Sequence, residues 1–374
     1  MRIAYICADP GIPLRGGKGA SVHLRSLATA LAGRGHDVLL GCARLDGPNP
    51  PPPSVGLVEL PKNGNGQWLG ETFSELQIEA VIERYAIDGG AALDAAAGLG
   101  LPYVLEVNAP LVDEAARFRG LKDAEHWRQR ERSLVVRAGH VVVVSTALRE
   151  HVIASGADPA AVEVIPNGVD VELFGQGGGA AVRARWGLGS ALVIGFAGSL
   201  KPWHGVRVLL EAARELPPEI RVLVVGDGPE REALEKLASK EHGLQERVVF
   251  AGAVLHAEMP AYLDAMDVAV APFEALAGFY FSPLKVAEYM GSGRPVVASR
   301  QGDLADLLAG TGLLTEPGDA PELRDALLNL ASDADLRCRL GDAARARAKG
   351  MSWTLVAERV EGVLANSQIR RSGA

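Results

Sequence analysis

Cysteine is scarce: three residues in 374, Cys7, Cys42 and Cys338, far apart, odd in number and without paired-ligand spacing. That excludes a disulfide framework and a zinc ribbon, fits a reducing compartment, and leaves the three as small apolar residues. Aromatic residues contribute only 5%, and no apolar run reaches the length that spans a bilayer. The opening MRIAYICA lacks a basic leader and a small-residue cleavage site, so it reads as a first core strand, not a signal peptide. Positive charge is in deficit as well. A formal net charge of −8 excludes nucleic acid as the main partner, because gripping a phosphate backbone needs a basic surface. Two local basic clusters, RFRGLK (117–122) and RQRER (128–132), leave peripheral contact with an anionic membrane open beside the plainer reading of charged helix faces. The expected location is cytoplasmic, with the inner membrane face as the place of any such contact; oligomeric state is not read from the sequence.

What is present is a globular composition, 48% apolar and 22% charged, in a chain long enough for two cores. A unit of strand, loop and helix repeats along it. The apolar run IAYICA (3–8) leads into DPGIPLRGGKG and then SVHLRSLATALAGRG, where Val22, Leu24, Leu27, Ala30 and Leu31 largely share one helical face. Ser21 is the expected cap, Gly33 or Gly35 the stop, and DVLLGC the next strand. Right-handed crossover makes such a pair parallel. PYVLEV (102–107), HVVVVS (140–145) and VEVIP (162–166) are further buried strands of the kind a sheet covered on both faces requires. The Pro-, Gly- and Asn-rich stretch 46–70 is expected to be a mobile surface loop.

After residue 180 the rhythm restarts with ALVIGFAG, SLKPWHG, VRVLLEAARELP, RVLVVGDG, RVVFAGA, VAVAPF and PVVAS. Two doubly wound α/β domains follow from this pattern: 1–172, then 173–352, with the glycine tract 175–179 as hinge and a last helix from 353 that crosses back or stays an ordinary terminal helix.

The densest chemistry lies in FSPLKVAEYMGSGRPVVAS (281–299). Ser282 followed by Pro283 predicts a capped helix start, with Lys285 in its first turn and Glu288 about 9 Å along the axis. Free amides, a hydroxyl and a lysine suit a diphosphate, and a carboxylate at that distance suits the vicinal diol of a ribose. The plain alternative, a cap, a solvated lysine and a surface ion pair, weighs equally on spacing alone. In the first half, RGGKG (15–19) fits neither a P-loop nor G-x-G-x-x-G. LEVNAPL (105–111) follows a strand directly, which puts Glu106, Asn108 and Pro110 where a doubly wound sheet lines its crevice; Glu106 is also a natural partner for Arg84. His23 is set between facing that crevice and the commoner solvated position.

Segment 281–299 resembles the signature of the retaining GT-B glycosyltransferases, family 4, group 1, in which E-x7-E-x-M-x-x-G-x-P-V-V lies in the C-terminal domain. RGHDV (34–38), IPNGVDVELF (165–174), VVGDGPE (224–230), VVFAG (248–252) and MDVAVAPF (266–273) agree in order and spacing, so the resemblance covers nearly the whole chain. It departs at three places: Tyr280 stands for the first glutamate, Glu274 being six residues too early; Ser199 and His204 stand where the family has arginine and lysine; and Asn108 stands where many members have a histidine that contacts the transferred sugar.

The resemblance implies two Rossmann-like domains facing a central cleft, with the acceptor on the first and a nucleotide-sugar donor (UDP- or GDP-linked) on the second. It assigns the ribose to Glu288 and the diphosphate to Gly198, Ser199, Lys201 and His204 together with Ser282, Pro283, Leu284 and Lys285. Backbone at Ala253 and Val254 reads the base, and Gly16 and Gly17 approach the donor or acceptor. Lys285, His204 and Asn108 are the candidate catalytic groups, with Lys201 or Lys285 making up the missing charge. No cofactor or metal is expected, since helix amides and cations neutralise the leaving group; the Asp333–Asp335 pair reads as a helix cap. A nucleotide-sugar epimerase on the same fold and a non-catalytic nucleotide-sugar-binding protein remain the alternatives.

Overall fold

A computed structural model describes residues 1–62, 66–240 and 243–367. The chain forms two units: Met1–Asn167 with Tyr280–Ser282 and the segment from Trp353, and Gly168–Phe279 with Pro283–Ser352.

The first unit holds strands β1 (Arg2–Cys7), β2 (Asp37–Cys42), β3 (Gly56–Glu59), β4 (Ala80–Arg84), β5 (Tyr103–Val107), β6 (Val141–Val143) and β7 (Val162–Val164). They form one sheet in the order β3-β2-β1-β4-β5-β6-β7, every pair parallel. Ile3, Ala4, Tyr5 and Ile6 are at most 1% exposed, which explains why β1 is apolar on both faces. The helix Gly19–Gly33 follows, with Val22, Leu24, Leu27 and Leu31 buried. Ser21 is not its cap: Lys18 holds that position without a side-chain bond, and the Ser21 hydroxyl is buried inside the first turn. Part of the expected 46–70 loop is also structured, since β3 extends the sheet beyond β2; residues 63–65 of that stretch lie outside the described residues.

β4 escapes a hydropathy reading because it ends in two buried charges, Glu83 and Arg84. Glu83 accepts from the Gly90 and Leu93 amides at the start of helix Ala91–Leu99 and from the Tyr103 hydroxyl. The strand thus supplies the cap that the helix's own sequence lacks.

The second unit holds β8 (Val193–Ala197), β9 (Arg221–Val225), β10 (Val248–Gly252), β11 (Val268–Ala271), β12 (Val296–Ser299) and β13 (Gly312–Thr315). Their order is β10-β9-β8-β11-β12-β13, again parallel throughout. The chain leaves the first unit at Asn167, and the glycine tract 175–179 lies inside the second unit instead of hinging the two. There Gly179 donates to Asp264, and a Cβ on it would fall 2.5 Å from the Asp264 carbonyl carbon.

Each sheet reverses its order once, between β1 and β4 and between β8 and β11. The loops leaving the carboxyl ends of those strands bound the crevice in which such sheets take ligands.

Candidate functional site

At the β8/β11 reversal, Gly198 leaves β8 with φ of 145°, and its amide bonds the Val225 carbonyl. Gly205 (φ 68°) ends the loop so close to Pro272 that a Cβ would stand 1.7 Å from its carbonyl oxygen. Only glycine allows both the turn and the approach. On the other side the helix Leu284–Gly291 is pinned to β8, because the buried Tyr289 hydroxyl accepts from the Ala197 amide and donates to its carbonyl.

Lys285 points from the first turn of that helix into this corner. Its ammonium sits 4.2 Å from the Phe196 ring centre and 5.3 Å from that of Phe273, beside Gly198, fully buried and without a hydrogen-bond partner. Burial drives its pKa down to about 7, against the pull of Glu288. Two aromatic faces attract a cation but give its three protons nowhere to go. An anion entering here would meet a donor already stripped of water.

Glu288, one turn further on, is nearly buried and accepts from His256 Nε2 at 2.9 Å. His256 follows β10 just after Ala253, which is exposed, and Val254, which is half-buried. Sequence reasoning missed His256; its place a few residues past VVFAG was the available signal.

Two expectations change. Ser282 does not cap the helix: Pro283 holds the cap position without a side-chain bond, and the Ser282 hydroxyl accepts from the Asn167 amide within the first unit. The groups left at this end that could meet an anion are the amides of the first turn, at Leu284 and Lys285, which a helix cannot pair internally. His204 is not a cation: desolvation, with Lys285 and Lys201 adding to it, holds its pKa down to about 3 although its bond to the Ser199 carbonyl opposes this. Nδ1 carries the proton toward that carbonyl, so Nε2 presents a lone pair, suited to a sugar hydroxyl and not to a phosphate. Tyr280, at the position of the family's first glutamate, belongs to the first unit, where its hydroxyl donates to Glu114. Ser199 is exposed, and the Lys201 ammonium lies 5.3 Å from the Trp203 ring centre.

In the first unit the β1/β4 reversal carries a buried polar network. Cys7, Arg84 and Glu106 are register partners across β1, β4 and β5. Glu106 accepts from His23 Nε2 at 2.5 Å and from the Tyr5 hydroxyl at 2.6 Å, and lies 3.5 Å from Arg84. His23 is therefore buried, not solvated. Burial alone would raise the Glu106 pKa, but His23, Arg84 and Tyr5 outweigh it and hold the carboxyl at about 2. Because the folded pKa lies below the unfolded one, this stabilisation is complete above the ordinary carboxylate range and fades as pH falls toward 2. Urea titrations should show Glu106→Gln losing roughly 2 kcal/mol relative to the parent at neutral pH, with the gap narrowing on acidification.

Asn108, just beyond β5, leaves its buried Oδ1 without a partner, so it can still receive a ligand donor. Gly16 is buried and its carbonyl accepts from Arg25 and Asn49, which makes it a support of the loop; Gly17 is exposed, with only the Asn49 amide nitrogen near, 4.0 Å from where a Cβ would stand. Asp333 caps the helix Ala334–Lys349, as expected. Among the described residues no cluster of metal-ligating side chains occurs, and no helix is long and apolar enough to cross a membrane.

Two Rossmann-like sheets of this kind define the GT-B architecture of glycosyltransferases. Residues 17–173 match the model of Glycosyltransferase Family 4, and residues 191–333 that of Glycosyl transferases group 1. The D-inositol 3-phosphate glycosyltransferase of Stackebrandtia nassauensis is 30% identical over 319 residues, 79% of this chain and 69% of that protein. Its counterpart in Xylanimonas cellulosilytica is 28% identical, covering 94% of this chain and 93% of its own. The fold matches sucrose-phosphate synthase of Thermosynechococcus elongatus (TM-score 0.80, 22% identity, 98% of each chain). It also matches Anabaena HepE solved with UDP and glucose (TM-score 0.77, 21% identity, 98% and 99% of the chains). The chain belongs to the group 1, family 4 glycosyltransferases.

Proposed function

We propose that the protein transfers a sugar, with retention of configuration, from a UDP- or GDP-linked donor to an acceptor hydroxyl. The observation that carries this reading is the pair on one helix of the second unit: a buried, unpartnered ammonium at Lys285 and an oriented carboxylate at Glu288. Lys285 and the first-turn amides receive the diphosphate and stabilise the charge that grows on it as the glycosidic bond breaks. Glu288, held by His256, accepts from the ribose hydroxyls. The acceptor attacks from the face the diphosphate leaves, and the departing phosphate takes the acceptor proton, so no protein nucleophile is needed. Lys285, Lys201 and the amides neutralise the leaving group without a divalent metal. His204 Nε2 and the Asn108 carbonyl are the candidate partners for sugar hydroxyls. The inositol phosphate named in the curated relatives makes polyol phosphates the first acceptors to try.

A thermal-shift screen of UDP, GDP, ADP and their sugars is expected to raise the midpoint for one base, since a ligand of the native state stabilises it by mass action. The matching donor, incubated with polyol phosphates, should release free nucleoside diphosphate and an α-linked product. An epimerised donor, or binding without turnover across the acceptor panel, would replace this reading by an epimerase or a binding protein.

A further inference from the structure

The chain passes out of or into the first unit at Asn167, Tyr280, Ser282 and Trp353; within that unit Asn167 and Trp353 touch one side chain, His23, and Ser282 is bonded to Asn167. Asn167 donates from its backbone amide to the Ser282 hydroxyl at 3.0 Å and from Nδ2 to the Ser282 carbonyl at 2.6 Å. With the amide nitrogen committed there, Asn167 Oδ1 faces His23 Nδ1 at 2.6 Å. The other ring nitrogen faces the Glu106 carboxylate, and the edge of the ring system packs against Trp353 at 5.2 Å between centres. Both ring nitrogens thus face oxygen atoms, and the Glu106 carboxylate makes its bond to His23 a charge-assisted one.

Nothing in nucleotide recognition requires these bonds, yet they end on Ser282, two residues before the helix that presents Lys285 and Glu288. We infer that His23 is a positioning residue for donor binding: acting through Asn167, it fixes Ser282 and so the first turn of the helix Leu284–Gly291. The role rests on the nucleotide-binding reading of that helix. It accounts for a buried, twice-bonded histidine at a place where an apolar residue would serve the core equally well, and for the serine and asparagine having side-chain duties in place of the helix cap.

Asn167→Asp tests it with almost no change of shape. The aspartate still accepts from His23, but sets an oxygen against the Ser282 carbonyl. Ser282→Ala removes the acceptor of the Asn167 amide, and Ser282→Thr restores it. Calorimetry with UDP, and with GDP where UDP gives no heat, is expected to show about tenfold weaker binding for Asn167→Asp and about fivefold for Ser282→Ala, with Ser282→Thr near the parent. Melting temperatures should stay within about 3 °C, and amide exchange should quicken at Leu284–Gly291. Parent-like affinity in both weakened variants overturns the role, as does a loss of affinity only in proportion to lost stability. Should Asn167→Asp fail to fold, the Ser282 pair decides. A parent protein that binds neither nucleotide ends the functional reading itself and this role with it, whereas Glu288→Ala losing affinity while Asn167→Asp keeps it sinks this role alone.

Discussion

Lys285→Met is expected to make the empty protein more stable and nearly blind to nucleotide. The ammonium is fully buried against Phe196 and Phe273, and no hydrogen bond offsets its lost hydration. A methionine of similar length fills the same corner without that cost, and unpaired buried charges replaced in this way commonly return about 1–3 kcal/mol. The binding side moves the other way. Removing the cation that meets a diphosphate in a desolvated site should weaken nucleoside diphosphate binding by roughly 100- to 1,000-fold. Chemical denaturation and calorimetry on the same preparation check both halves; a variant that is destabilised, or that binds as tightly as the parent, contradicts the assignment.

The same burial sets a pH dependence whose sign can be worked out. The lysine titrates at about 7 when folded, below its ordinary 10.5, so between those values the unfolded chain holds the extra proton. Stability of the empty protein therefore rises with pH through that window. Nucleotide binding runs opposite, because the diphosphate selects the protonated amine: affinity should fall as pH climbs above about 7, with proton uptake in calorimetry. Lys285→Met should abolish both trends.

Glu288→Ala is the second large effect. A carboxylate accepting from both ribose hydroxyls makes two charge-assisted bonds, and its loss should cost about 100-fold in affinity for UDP or GDP. Glu288→Gln, which keeps one acceptor, should fall between. Because Glu288 also supports the charge of Lys285, the double variant should lose less than the two single losses combined. The free base and nucleoside-free pyrophosphate separate the contributions: Glu288→Ala should hardly change pyrophosphate binding. Unchanged nucleotide affinity would remove Glu288 from the site.

Most strands could be read from sequence because parallel sheets covered on both faces demand unbroken apolar runs, as in IAYIC, YVLEV and VIGFA. The failures share one physical origin. β4 was hidden by Glu83 and Arg84, charges that pattern reading sends to the surface but that here satisfy the start of a helix and the Glu106 network. Ser21 and Ser282 read as caps because serine before a helix usually is one; in the fold one hydroxyl is buried unpaired and the other is claimed by Asn167, a partner 115 residues away. Lys285 and Glu288 were found through their helical spacing, which is local. His256, Phe196 and Phe273, which set the environment of those two residues, come from other loops and strands and leave no mark in the linear order. The protonation of His204 was likewise out of reach, since it depends on enclosure and on a nearby ammonium, not on residue type.

The last described helix, Trp353–Asn366, lies with the first unit, where Glu361 pairs with Arg34 and Arg359 with Glu163. On a ribosome, which extrudes the chain from its amino end, the consequence is an inverted order of completion. The first unit waits for residues made after the second, while the stretch from Gly168 to Ser352 already holds nearly all of its own partners. A released chain that ended just short of Trp353 would therefore expose a protease-sensitive leading half while its trailing unit was finished.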